Sequence, residues 1–247
     1  MSAGKDNGMI SQSIKYFIIL TVVALGCAGC GSKQEQAGQT KTAATTETKA
    51  VQDVAKADSE SIQEQPVVDM APITEEKTIF GFENGDEGFE IPSWAEEKAD
   101  NAGRSVSISK SFASEGSQSL CINAEFPGKI WTSALVELEQ YLDLSDYREI
   151  ACDIYIPESA PMGLKAKLIL TVGEDWTWCE MVSSVPLNPG EWVTVRASIE
   201  PGSMAWKRTE VDNAFRADIR KLVVRIESNK RPEYSGPIFI DNIRVGK

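Results

Sequence analysis

The stretch that decides the fold class is Leu164-Lys-Ala-Lys-Leu-Ile-Leu-Thr-Val-Gly-Glu-Asp-Trp-Thr-Trp-Cys-Glu180. Its alternating apolar positions are Leu164, Ala166, Leu168, Leu170 and Val172. This is the period of a half-buried β-strand, and the Gly-Glu-Asp sequence that follows indicates a turn. If the strand resumes after the turn, the indoles of Trp176 and Trp178 lie on the same sheet face. Two such rings can pack in a core, or they can form a platform on which a flat apolar ligand face stacks, such as that of a pyranose ring.

Short alternating segments of the same kind continue along the chain from residue 77 to residue 247. The clearest are residues 104–110, 119–124, 150–156, 191–199, 221–226 and 237–245. Turn residues separate them, and only residues 211–220 have a helical pattern. Many short strands at this spacing predict an all-β sandwich or barrel, and about 170 residues are enough for one domain with a sizeable core.

The first 30 residues have the pattern of an export signal. Lys5 and Lys15 precede an apolar run, residues 16–25, that is too short to span a bilayer as a helix. Small residues with Cys27 and Cys30 follow, and this segment resembles the lipobox of bacterial lipoproteins. We expect lipidation at Cys27, which ends the apolar run, with Cys30 as the alternative. The protein would then be exported and anchored by lipid to the bacterial cell membrane, with its domain on the outer side. A soluble secreted protein or a short core segment are the other interpretations.

Residues 31–76 have the composition of a linker. They contain few aromatic residues and many Gln, Thr, Ala, Lys, Glu and Ser residues. Such a segment cannot bury enough apolar surface to offset its chain entropy. We therefore predict a disordered polar tether between the anchor and a β-domain formed by residues 77–247.

Charge and residue usage exclude several functions. The net charge is −12, which argues against nucleic acid as a partner. The chain has no histidine, so catalytic triads with histidine and histidine-bound zinc are excluded. Cys121, Cys152 and Cys179 fall in predicted strands, at spacings unlike a metal-binding cluster. We predict that they are small buried apolar residues.

Several motifs occur together in an order that resembles a known family. They are Phe82-Glu-x-Gly85, Ser114-Glu-Gly-Ser-Gln-Ser-Leu120, Leu142-Asp-Leu-Ser-Asp-Tyr147, Asp175-Trp-Thr-Trp178 and Gly236-Pro-Ile-Phe-Ile-Asp-Asn242. From residue 78 to residue 245 the chain resembles the jelly-roll carbohydrate-binding modules of bacterial β-mannanases, especially family twenty-seven. The resemblance implies a galactose-binding-like β-sandwich of two antiparallel sheets that binds a β-linked mannan.

The resemblance also implies that the ligand stacks on tryptophans. Trp94, Trp131 and Trp178 match in order and approximate spacing, with Trp176 as the substitute candidate. Stacking is C–H/π contact and apolar burial, and the alternative for each residue is an ordinary half-buried aromatic. Polar groups beside the rings would orient sugar hydroxyls, and the candidates are Glu180, Lys129 and Arg208. Trp192, in the middle of an alternating segment, is predicted to be core, whereas Trp206 is a loop residue without an assigned place.

A structural calcium ion is a further implication of the resemblance. The matching side chains are Glu83 and Asp241, and carbonyl groups of residues 114–117 would complete the oxygen shell. Such an ion would tie the first strand to the last. The alternative is that Glu83 is a surface turn residue and Asp241 caps a strand end.

Three functions compete for this domain. The leading hypothesis is a monomeric, non-catalytic module that binds a polysaccharide or oligosaccharide, most readily a β-mannan or related β-glycan. A glycoside hydrolase would need two carboxylates about 5 Å apart or farther across the scissile bond, but the acidic residues fall mostly in turns, so we predict that the chain is not an enzyme. The third hypothesis is a protein-interaction module on the same frame.

Overall fold

The alternating segments form two antiparallel sheets in the computed structural model, which describes residues 72–247. One sheet has the order β2-β3-β11-β5-β9, with β1 also paired to β11. Its strands are β1 (Glu76–Phe80), β2 (Gly103–Ser109), β3 (Ser119–Pro127), β5 (Glu149–Tyr155), β9 (Trp192–Ser198) and β11 (Glu233–Gly246). The predicted sandwich of two antiparallel sheets is confirmed.

The second sheet has the order β4-β10-β6-β7, and a short strand β8 pairs with β6. Its strands are β4 (Trp131–Leu142), β6 (Leu164–Val172), β7 (Thr177–Glu180), β8 (Val185–Pro186) and β10 (Ile219–Asn229). Two short helices, α1 (Ser93–Glu96) and α2 (Asn213–Ala217), complete the described elements. Residues 211–220 were expected to contain helix, whereas α1 was not predicted.

The main core contains the alternating residues of both sheets. All five apolar positions of β6 predicted to share a face belong to it. The opposite face of β6 is also covered, because Ile169 is fully buried in a second cluster with Leu135, Val223 and Ala95 of α1. The prediction of a half-buried strand is therefore wrong for β6, since α1 folds over the outer face of its sheet.

Two tryptophans differ from the sequence-based expectation. Trp192 was predicted to be core, but it lies half-buried on the outer face of the six-stranded sheet, with its ring 5.4 Å from that of Tyr155. Val193 and Val195, on the other side of β9, contact the core instead. Trp206 is a core residue with 1% exposure, and its indole N–H donates to the carbonyl oxygen of Ser198 at 2.9 Å.

Within residues 72–247, the three cysteines have the burial that the sequence predicts. Cys121, Cys152 and Cys179 are free and buried, which confirms their prediction as small interior residues. No helix in this part of the chain is long and apolar enough to cross a membrane. The predicted export signal, the lipidation candidates Cys27 and Cys30, and most of the predicted linker lie outside the described residues.

Candidate functional site

A groove on the outer face of the five-stranded sheet contains all four candidate tryptophans. Trp94, Trp176 and Trp178 line a cavity of about 440 Å³, and Trp94, Trp131 and Trp178 line an adjoining cavity of about 80 Å³. Lys98 lines both cavities, as do Trp94 and Trp178. We call these two cavities together the tryptophan groove. The structure thus brings together the four indoles that the sequence spreads over 85 positions, from 94 to 178.

Three of these indoles are unusually accessible for such large apolar side chains. Trp131 is 37% exposed, Trp176 45% and Trp178 42%, whereas Trp94 is half-buried against the second core cluster. Trp94 and Trp178 meet edge to face, with ring centroids 5.7 Å apart and planes at 87°. Such a contact is favourable and fixes both orientations, so the two rings form a rigid corner of the groove.

Trp176 reaches the groove from a turn rather than from a strand. The strand resumes at Thr177, so the condition for alternation along one strand is met by Trp178 and not by Trp176. Trp176 has a backbone φ of +53°, a left-handed conformation that costs a non-glycine residue about 1–2 kcal/mol. Strain of this kind is often found at binding sites. Here it turns the indole toward the same cavity as Trp178.

Cations lie against three of the tryptophan rings. Lys98 Nζ is 4.4 Å from the Trp94 ring centroid, and the Arg225 guanidinium is 5.7 Å from that of Trp131. Arg220 and Lys221 are 5.4 and 5.6 Å from the Trp176 centroid. Cation–π contacts hold the rings in place and bring hydrogen-bond donors to their borders.

Glu137 is a groove residue that sequence reasoning missed. It lies on β4 with 5% exposure, and its Oε1 accepts hydrogen bonds from Trp94 Nε1 at 3.4 Å and Lys221 Nζ at 2.7 Å. A signal was present, because Glu137 lies six positions after Trp131, which is an even spacing. Strand alternation therefore places both side chains on the same face.

Glu180 supports the groove without lining its cavities. Its carboxylate pairs with Lys207 and with Arg225, whose Nη2 is 2.6 Å from Glu180 Oε2. Burial acts to raise the pKa of Glu180, but the hydrogen bond from Lys207 and the charge of Arg225 hold it below its usual value. Glu180 thus positions the guanidinium that lies against Trp131. Lys129 and Arg208, the other polar candidates, line neither cavity of the groove.

The two predicted calcium ligands meet at one turn. Glu83 accepts hydrogen bonds from the N–H groups of Ser117 and Gln118, and Asp241 accepts from those of Ser114 and Glu115 at 2.7 and 3.1 Å. Burial raises the pKa of Asp241, although these N–H groups act in the opposite direction.

The groups on these carboxylates are therefore N–H donors and, on Glu83, the Ser117 hydroxyl as well, whereas the resemblance implied carbonyl oxygens around an ion. A calcium ion would compete with those donors for the same carboxylate oxygens. Within residues 72–247, no group of three or more His, Cys, Asp or Glu side chains could hold a metal ion. The arrangement ties Glu83 to the last strand without requiring a cation, and calcium stays a prediction.

Comparison with known proteins places this geometry in context. Residues 92–247 match the family model described as Carbohydrate binding module 27. No curated protein matches the chain. A solved module described as specific for non-crystalline cellulose has 14% identity and a TM-score of 0.50, and the match covers 71% of this chain and 97% of that one. A module from Caldicellulosiruptor saccharolyticus, solved with mannohexaose, has 18% identity and a TM-score of 0.49 over 70% of this chain and 97% of its own.

Proposed function

Because this chain belongs to the Carbohydrate binding module 27 family, we propose that its β-sandwich binds a β-mannan or related β-glycan on the tryptophan groove. Modules of this family are non-catalytic and bind carbohydrate, which confirms the prediction that the chain is not an enzyme. The motifs that resemble mannan-binding modules favour mannan over other β-glycans, so the glycan class rests on sequence likeness and the site on geometry.

The observation that carries the proposal is the joint exposure of three indoles along one groove. Trp131, Trp176 and Trp178 each expose more than a third of their surface. A cluster of exposed apolar rings is unfavourable in water and marks a binding surface. A sugar ring offers an apolar face for the indoles and hydroxyl groups at its edges for neighbouring polar side chains. The groove provides both kinds of contact, because Glu137, Lys98 and Lys221 border the same cavity.

The proposal extends to the location of the module. Lipidation at Cys27 would fix the N-terminus to the cell membrane, and the polar linker would hold the sandwich away from it. A module held in this way would retain a polysaccharide near the outer surface of the cell. Metabolic labelling with a radiolabelled fatty acid tests this part, since Cys27→Ala should abolish the label and Cys30→Ala should preserve it.

Titration calorimetry of the full-length chain tests the central proposal. We expect saturable binding of mannohexaose, with cellohexaose and xylohexaose weaker. Tighter binding of cellohexaose or xylohexaose would preserve the site and correct the glycan. No heat from any of the three with a folded protein would contradict glycan binding and favour a protein partner.

A further inference from the structure

Unpaired polar atoms concentrate in the tryptophan groove. Within residues 72–247, six buried side-chain polar atoms have no hydrogen-bond partner, and three of them are Glu137 Oε2, Thr171 Oγ1 and Arg225 Nε. All three residues line the groove. Buried polar groups are nearly always hydrogen-bonded, since an unpaired one costs about 1–3 kcal/mol. Such a concentration at one place indicates that a ligand completes the missing bonds.

Glu137 and Thr171 are the strongest pair, because both are more than nine-tenths buried and line the larger cavity. Each side chain is held by the sheet: Glu137 lies on β4, opposite Val223, and Thr171 lies on β6, opposite Lys221. Strand β10 separates them, so strand spacing places their Cα atoms about 12 Å apart. They are too far apart to share one ligand group, and each would contact a different one.

We propose that Glu137 and Thr171 select the glycan by binding two separate sugar hydroxyl groups beneath the indoles. This inference rests on the proposed function and names the polar contacts that give the groove its selectivity. The Glu137 carboxylate can only accept, and Oε1 is already occupied by Trp94 and Lys221, so its free Oε2 requires a ligand group that donates. Thr171 can donate or accept.

The chemistry defines the class of ligand. A free hydroxyl can donate to Glu137 Oε2, whereas an O-acetyl ester in the same place has no proton to donate. A site built around a substrate hydroxyl rejects analogues that lack it, because its own buried group is then left unpaired. The groove therefore requires sugars that are unsubstituted at the hydroxyl facing Glu137.

Thr171→Val is the decisive variant, since valine has nearly the same shape but no hydroxyl. In the free protein it replaces an unpaired buried hydroxyl, so the melting temperature should stay the same or rise. The affinity of the full-length chain for mannohexaose should nevertheless fall roughly three- to tenfold. If Thr171 had only a structural role, Thr171→Val would not lower the affinity while the melting temperature stays the same or rises.

Glu137→Gln and its control Glu139→Gln complete the test. Both remove a carboxylate from Lys221, but Glu139 is 64% exposed at its side chain and lines neither cavity of the groove. Glu137→Gln should weaken mannohexaose binding on the order of tenfold or more, because a charged acceptor is lost, and Glu139→Gln less than about twofold. The wild type should also bind mannohexaose more tightly than partially O-acetylated mannohexaose. Glu137→Gln should reduce this ratio of affinities, because the amide of glutamine can donate a hydrogen bond to the ester.

The outcomes distinguish the hydroxyl contacts of Glu137 and Thr171 from glycan binding by the groove as such. Binding by the wild type that is unchanged in both Thr171→Val and Glu137→Gln would overturn the hydroxyl contacts and preserve the glycan site. Equal losses in Glu137→Gln and Glu139→Gln would assign the effect to Lys221 and overturn the role of Glu137. A wild type that binds none of the glycans would overturn the proposed function and this inference with it.

Discussion

Replacing Trp178 with alanine should weaken glycan binding about thirtyfold. Trp178 is 42% exposed in the groove. An indole of roughly 200 Å² therefore leaves about 80 Å² for a sugar ring to cover. At about 25 cal/mol per Å², this area corresponds to about 2 kcal/mol, which is roughly thirtyfold in the dissociation constant.

The same substitution has a cost in stability that must be measured separately. The buried part of the indole, about 120 Å², and its edge-to-face contact with Trp94 together contribute about 3.5–4.5 kcal/mol to the free energy of unfolding. Trp192→Ala is the matched control, because Trp192 is also half-buried and contacts one aromatic neighbour, Tyr155, but lies on the opposite sheet. It should lose comparable stability and no affinity.

The assay is titration calorimetry with mannohexaose on the wild type and both variants, after thermal unfolding has shown that each is folded. A folded Trp178→Ala protein that binds as tightly as the wild type would refute the stacking role. Equal losses of affinity in Trp178→Ala and Trp192→Ala would also refute it, because the effect would then reflect general destabilisation.

Three other perturbations test the frame that holds the groove. Gly116→Ala should lower the free energy of unfolding by about 2–4 kcal/mol, because φ is +69° and a Cβ would lie 2.4 Å from Glu83 Oε1. Gly202→Ala is its control, because Gly202 has a φ of +86° but open space around it. In the same denaturant titration this control should lose only about 1 kcal/mol. Asp153 is buried, which acts to raise its pKa, but hydrogen bonds from Thr194 and Ser114 and the charge of Arg244 lower it on balance. Its stabilising contribution is therefore present above the ordinary carboxyl pKa and is lost as the pH falls below about 4. Below about pH 4, the melting temperature of Asp153→Asn should depend less on pH than that of the wild type. Because N–H donors already occupy the carboxylates of Glu83 and Asp241, neither calcium nor a chelator should change the melting temperature of the wild type. A rise with calcium that is absent in Asp241→Asn would instead support the calcium site that the resemblance implies.

The local sequence pattern correctly predicts the strand faces that contact the main core, but it does not predict which segments cover the outer faces. The alternation in β6 correctly identifies the residues that contact the main core, because strand period depends only on neighbouring residues. The outer face of β6 is covered by α1, about 70 positions earlier in the chain. The apolar Ile169, on the same face as Lys167 and Thr171, is a local sign of that cover, but the strand does not indicate which segment provides it. For Trp192 the local signal existed: Val193 and Val195 mark the inner face of β9, which leaves Trp192 outside.

The residues of the candidate site also differ in whether the sequence could identify them. The four tryptophans were found from the sequence because they are rare and match motifs in order. Lys221 and Arg225 were not found, because β10 inserts between β4 and β6, and strand order is a long-range property. Glu180 was assigned to a sugar contact, but the structure shows it bonded to Arg225 and Lys207. A charged residue beside an aromatic motif can thus support the site without lining it.

Indole N–H resonances of the isotope-labelled protein test the groove most directly, because the chain has six tryptophans at known positions. Four line the groove, Trp206 is buried in the core and Trp192 lies on the opposite sheet. Mannohexaose should shift the signals of Trp94, Trp131, Trp176 and Trp178 and leave the other two unchanged. Shifts confined to Trp192, or six unchanged signals at saturating glycan, would contradict glycan binding in the tryptophan groove.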